Sequence, residues 1–131
     1  MMELRPIAHD DVRPYASRAA KEHVSLSEGA TPTDWWGVFD GGRLVAFAGL
    51  LPLRNGYRFR GAYTLPGERG KGYGTMLLTG LIDRVAPARI EAIALDPRIY
   101  DRLGFRRASE SRTRSGTTVT RVILEGRRHV W

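Results

Sequence analysis

The sequence predicts a layered α/β (α+β) domain: a mixed, mostly antiparallel central sheet of about six or seven strands flanked by helices. Three observations carry that expectation. Two glycine turns, Asp40-Gly41-Gly42 and Asn55-Gly56, separate strand-like runs between Trp35 and Leu65, and glycine enters such turns at positive φ without strain. Leu77, Leu78, Leu81, Ile82 and Val85 recur at the spacing of one helical face. Strand-like segments on either side of that helix complete strand–helix–strand units, which require layers.

In chain order, Leu4-Arg5-Pro6-Ile7 predicts a short opening strand. Asp10 and Asp11 are candidate N-caps for a helix running to about Ala20, since a carboxylate there accepts bonds from free first-turn amides. Ser25 to Thr33, polar and holding Gly29 and Pro32, reads as a loop or a broken second helix. Trp35 to Phe39 and Leu44 to Leu51 form a hairpin, and the second of these is apolar on both faces, as a covered central strand is. Arg58 to Leu65 is the fourth strand. A Gly-rich loop, Pro66 to Gly72, leads into the amphipathic helix, which Pro87 closes. Arg89 to Leu95 is a fifth strand and Pro97 to Leu103 a short helix stopped by Gly104. Phe105 to Ala108 and Thr117 to Leu124 make a final antiparallel pair around Ser111 to Gly116.

At 131 residues, 42% apolar and 27% charged, the chain fits one globular domain, residues 1–131, with no repeat or low-complexity linker. Its longest apolar run, Leu44 to Leu51, falls far short of the ~20 residues of a membrane helix. Met1 to Ala20 is charged throughout and does not resemble a secretory signal. With no cysteine there is no disulfide framework, thiol nucleophile or thiolate zinc site. A cytoplasmic protein without a membrane or metal partner is the expectation; His9 and His129 have no metal-ligand spacing. The net charge is 21 − 14 = +7. Nine arginines against Asp101, Glu110 and Glu125 between Arg98 and Arg128 leave +6 there. Such a surface attracts nucleic acid or a phosphate-bearing cofactor, although a GC-rich genome gives the same arginine bias.

The strongest chemical feature is Glu68-Arg69-Gly70-Lys71-Gly72-Tyr73-Gly74, between a strand and a helix start. Amides there lack intrahelical partners and the helix dipole favours an anion, so the segment reads as a pyrophosphate cradle with charge added by Arg69 and Lys71. A P-loop is excluded, because Lys71 is followed by Gly72 rather than Ser or Thr. A dinucleotide fingerprint is excluded too, because Thr75 stands where its third glycine belongs. A tight turn that merely needs glycine remains the plain alternative.

Arg69-x-x-Gly72-x-Gly74 resembles the acetyl-CoA-binding signature of the GCN5-related N-acetyltransferases, Q/R-x-x-G-x-G/A. Tyr100-Asp101-Arg102-Leu103-Gly104-Phe105 resembles that family's second landmark, Y-x-x-x-G-F, on a short helix. The resemblance covers nearly the whole chain and implies the family's acyl-CoA N-acyltransferase fold. It implies that Arg69, Gly70, Lys71, Gly72, Tyr73, Gly74 and Thr75 hold the diphosphate of acetyl-CoA or another acyl-CoA. It further implies that the pantetheine arm pairs with the fourth strand near Ala62, Tyr63, Thr64 and Leu65, where that strand parts from the fifth. Tyr100 matches the tyrosine that protonates the leaving thiolate. The implied reaction is direct attack of a primary amine on the thioester in a ternary complex.

The match thins at the general base. Many relatives carry a glutamate on the fourth strand, whereas Arg58 to Leu65 holds no carboxylate. Glu68, Glu91, Asp96 and His23 are candidates, with ordered water equally compatible. Trp35 and Trp36 must face opposite sides of their strand, one buried and the other free to line an acceptor pocket or stack a base. Arg112, Arg114, Arg127 and Arg128 are candidates for a phosphate-tracking patch. The alternatives are therefore a relative directed at aminoacyl-tRNA or, like the phage Mom branch, at DNA adenine, and a non-catalytic CoA-binding module. The chain is expected as a monomer or homodimer.

Overall fold

The computed structural model describes residues 2–126. Their order is β1 (Met2–Ile7), α1 (His9–Val12), α2 (Ala16–Lys21), β2 (Asp34–Asp40), β3 (Arg43–Leu53) and β4 (Gly56–Thr64). There follow α3 (Tyr73–Val85), β5 (Ile90–Ala94), α4 (Arg98–Arg102), β6 (Arg106–Arg112) and β7 (Thr118–Leu124). The strands form one sheet in the order β1-β2-β3-β4-β5-β7-β6, in which β4–β5 is the one parallel pair among the described residues. This is the mixed, mostly antiparallel seven-stranded sheet that the glycine turns predict. No helix among the described residues is long and apolar enough to cross a membrane.

Two local expectations change. The first helix is broken: α1 ends at Val12, Arg13–Tyr15 makes one 3₁₀ turn, and α2 resumes at Ala16. Pro14 lies in that turn, where its missing N–H and its ring cannot continue the α-helical ladder. The N-cap is Ala8 rather than an aspartate; Asp11, inside the first turn, accepts the Ala8 N–H at 2.8 Å. The sixth strand is also longer than Phe105 to Ala108. Every residue of β6 is exposed, so this sheet edge has no apolar alternation to betray its length.

Helices cover both faces. Leu77, Leu78, Leu81 and Ile82 of α3 pack with Ala46, Ala48, Leu50, Phe59, Ile90, Ala92 and Val122 of the sheet. On the opposite face, Val12 and Ala19 from the broken helix join Trp35, Phe47 and Tyr63. Trp35 and Trp36 diverge as alternation requires: Trp35 is buried in this second cluster, and Trp36 packs against the first with Arg84 stacked 4.2 Å above its ring.

One irregularity creates the site. Gly49 pairs with Arg60 and Phe47 with Tyr63, so Gly61 and Ala62 together stand opposite Ala48. Gly61 has φ 61°, and a Cβ added there would lie 2.6 Å from Trp35 Cη2, which leaves glycine as the residue that fits. A bulge bends its strand and strengthens its twist. Parallel pairing with β5 accordingly runs from Tyr57↔Ile90 only to Phe59↔Ala92. Beyond that point the strands part.

Candidate active site

The gap between β4 and β5 is a cleft of about 840 Å³ that reaches from Leu77 and Leu78 on one face of the sheet to Arg58, Arg60 and Ile93 on the other. Toward α3 it continues into a second hollow of about 610 Å³, lined by Arg69, Gly70, Gly72, Gly74 and Thr75. Ala62, Tyr63, Thr64, Asp96 and Ile99 border both. The loop and the gap between the parted strands are thus one continuous groove.

The loop is an amide cradle. Gly72 caps α3 at φ 84°, and the first helical donation is Met76 N–H to Gly72 C=O, 3.0 Å. Among the described residues the main-chain amides of 69 to 75 have no acceptor. A Cβ at Gly70 or Gly72 would meet no atom within 4 Å, so the space above this backbone is open. Unsatisfied donors at the positive end of a thirteen-residue helix fit an anionic diphosphate.

The side chains of the loop are more tied down than its sequence implies. Arg69 Nη1 lies 2.7 Å from Glu22 Oε1, and its Nε donates to Thr64 C=O at 3.0 Å. Tyr63, buried in the core opposite α3, donates its hydroxyl to Glu22 Oε2 at 2.8 Å. The Arg69 guanidinium and the Tyr63 hydroxyl together hold the Glu22 carboxyl down at about 2. Lys71 pairs with Glu68, which also accepts Arg43 Nη1 at 2.6 Å. Tyr73 turns inward and donates its hydroxyl to Asp40, whose carboxyl that bond holds below the usual range. Leu65 uses both main-chain groups within the protein, donating to Val45 C=O and accepting Glu68 N–H. Glu22, Arg43 and Asp40 therefore position the loop, and no local signal marks them: Glu22 and Arg69 are 47 residues apart.

Tyr100 lies in the cleft wall on α4, 8% exposed, with its ring edge-on to Phe105 at 5.2 Å between centroids. Its hydroxyl has no hydrogen-bond partner among the described residues. Burial pushes the phenol up to about 12. It stays protonated across the physiological range, as a proton donor must, and it is the weaker acid for being buried.

The three candidate carboxylates are each engaged. Asp96 accepts the Arg98 N–H at 3.1 Å and chelates its guanidinium, which together hold its carboxyl at about 2. Glu91 is buried between Arg121, 2.8 Å away, and Arg58, 3.4 Å away. Burial pushes its carboxyl up, and the bond from Arg121 with the charge of Arg58 overcomes this to leave it below the usual range. Glu68 is held by Arg43 and Lys71. His23, at φ 64°, borders the cleft. Trp36 lies away from the cleft beside Arg84, and His9 meets Leu26 C=O at 2.7 Å. Among the described residues no cluster of His, Asp and Glu could hold a metal ion.

The basic C-terminal third is partly neutralised in place. Arg98, Arg106, Arg107 and Arg121 pair with Asp96, Glu125, Asp101 and Glu91. Arg112 and Arg114 are exposed around the β6–β7 turn. Arg127, Arg128 and His129 lie outside the described residues.

The whole chain superposes on acetyltransferase structures. It matches the ribosomal-protein-S18-alanine N-acetyltransferase from Escherichia coli at a TM-score of 0.74 and 17% identity, over 99% of this chain and 97% of that one. It matches N-acetylglutamate synthase from Neisseria gonorrhoeae, complexed with coenzyme A and N-acetyl-glutamate, at 0.76 and 16% identity, over 98% of this chain and 36% of that one. Aminoglycoside 6'-acetyltransferase type Ii gives 0.70 and 16% identity, over 94% and 96%. At such identities the likeness is one of fold. A comparison with curated protein sequences found no significant match. The sequence model of the acetyltransferase (GNAT) family matches residues 2–105, from β1 through the loop and Tyr100 to Phe105, and the chain belongs to that family.

Proposed function

We propose that the protein transfers the acetyl group of acetyl-CoA to a primary amine by direct attack within a ternary complex. One observation carries the reading: open, unpartnered amides at the start of α3 run into a cleft between parted strands with a buried, protonated tyrosine in its wall. Family membership supports acyl-CoA-dependent acetyl transfer in general. The amides of residues 69 to 75 receive the diphosphate, with the Thr75 hydroxyl beside them. Arg69 serves by bracing the loop to Thr64 and Glu22. Beyond Phe59 the β4 edge at Ala62–Thr64 has no strand on its β5 side, which leaves it to pair with the pantetheine arm and to polarise the thioester carbonyl.

The amine nitrogen attacks that carbonyl carbon, the C–S bond breaks, and the Tyr100 hydroxyl passes its proton to the departing thiolate. The chain has no cysteine, so a cysteine relay of the acetyl group is not available. With every nearby candidate carboxylate ion-paired, the amine gives its proton to water or to His23, which borders the cleft. The test is calorimetric titration with acetyl-CoA against the wild type and Gly72→Glu. A Cβ at position 72 meets no atom but at φ 84° carries about 1–2 kcal/mol of backbone strain, so the variant is compared with Gly72→Ala, which carries the same strain without the carboxylate. Binding weakened on the order of tenfold or more supports the cradle. Unchanged binding by a folded variant refutes it.

A further inference from the structure

The cleft has two chemically different ends. The α3 end carries the amide cradle. At the far end, on the face opposite α3, Phe59 turns into the core while its neighbours Arg58 and Arg60 line the cavity with Leu51, Ile93 and Val119. Asp96 is the one carboxylate bordering that cavity among the described residues, and Arg98 claims it.

The two arginines are charged beyond what their partners neutralise. Arg60 has no ion pair within 4 Å among the described residues: Ser27 C=O and the Thr33 hydroxyl accept its two Nη groups, and the Glu28 carboxylate, which holds Thr33 N–H, offsets its charge only from a longer distance. Arg58 shares Glu91 with Arg121, so two guanidiniums stand against one carboxylate. Of Arg58's donors one reaches Glu91, at 3.4 Å, and its Nε is buried without a partner. Arginine presents a planar fork that matches carboxylate and phosphate oxygens, and a guanidinium held in place by a carbonyl and a hydroxyl, with its nearest carboxylate beyond ion-pair distance, keeps charge and further N–H donors for an anion in the cavity. A cationic acceptor such as a polyamine or a lysine-rich peptide would meet repulsion here instead.

From this we propose that the acceptor is a small amine bearing an anionic group, a carboxylate or a phosphate, which Arg60 binds with help from Arg58 while the amine points toward the thioester. The proposal rests on the acetyl-transfer reading above and adds the substrate class. The cleft of about 840 Å³ is shared with the pantetheine arm, so what is left at its far end suits a small molecule rather than a macromolecule.

The experiment follows free-CoA release from acetyl-CoA with matched acceptors. Glycine, β-alanine and 4-aminobutyrate are compared with their carboxamides, with O-phosphoethanolamine as the phosphate arm and putrescine as the cationic one. The expected result is a kcat/KM at least about tenfold higher for an acid or the phosphate than for its neutral or cationic counterpart. Arg60→Gln should bring that ratio close to one through KM rather than kcat, and Arg60→Lys should restore part of it. Amides or putrescine used as well as the acids overturn the proposal, as does a ratio unmoved by Arg60→Gln. No turnover of any anionic amine while acetyl-CoA still binds overturns it as well. Acetyl label entering tRNA or DNA but none of these amines would overturn it in favour of a polynucleotide acceptor. Loss of the acetyl-transfer reading itself is separately visible, as an absence of acetyl-CoA binding in calorimetry.

Discussion

Removing one oxygen atom, in Tyr100→Phe, separates a chemical role from a packing role. The ring fills its place against Phe105 in either residue, and the hydroxyl has no protein partner to lose. The hydroxyl keeps contact with solvent through the cleft, so the variant should be about as stable as the wild type at pH 7. A general acid contributes about 10²–10⁴-fold, so kcat should fall by about a hundredfold with acetyl-CoA affinity unchanged.

The pH dependence gives a second handle. Burial raises the phenol from 10.0 to about 12 in the fold. Below pH 10 both folded and unfolded states keep the proton, and the group adds no pH dependence. Between pH 10 and 12 only the unfolded state ionises, so stability is lost as pH rises, by up to about 3 kcal/mol. Tyr100→Phe should lose less stability than the wild type over that window. Steady-state CoA release and urea denaturation from pH 8 to 11 measure both effects. Full turnover by the variant, or a loss of more than 1 kcal/mol at neutral pH, would refute the reasoning.

Three further outcomes follow from the geometry. Gly61→Val places a branched side chain at φ 61° against Trp35, 2.6 Å from the new Cβ. It should cost about 2–3 kcal/mol in denaturant melts and weaken acetyl-CoA binding, and a neutral effect would mean that the bulge can be rebuilt. Leu81→Ala, at a fully buried position of α3, should cost about 2–5 kcal/mol by the same measurement. Glu91→Gln takes the shared counter-ion from Arg58 and Arg121, at about 1–2 kcal/mol once the exposure of both arginines is discounted. Because its folded carboxyl lies below the usual range, the Glu91 contribution is present above the unfolded value and lost as pH falls below about 4.5. The gap between variant and wild type should narrow steadily as pH falls from about 4.5, and a gap that does not narrow at all would remove ionisation as its cause.

Much of the architecture was legible because it rests on local rules. A glycine pair at Gly41-Gly42, a 3.6-residue stripe from Leu77 to Val85 and Gly72 at a helix start each act within one or two turns of chain. Those rules located the first five strands, α3 and the glycine loop before it by residue number. They failed where a local signal was absent or competed with another. Pro14 outweighed a helical run, Asp11 reached back from inside the turn rather than capping it, and β6, exposed on every residue, offered no pattern to measure.

By itself the sequence determined the element order, the loop whose amides lack partners, and the absence of a carboxylate on β4. Tertiary structure alone decided what those parts face. Glu22 and Arg69 meet across 47 positions, β4 parts from β5 because Trp35 leaves no room for a side chain at Gly61, and two arginines on β4 share one cavity with Tyr100. Secondary structure depends on neighbours along the chain, whereas the charge and width of a cleft depend on residues that only folding brings within a few ångströms of one another.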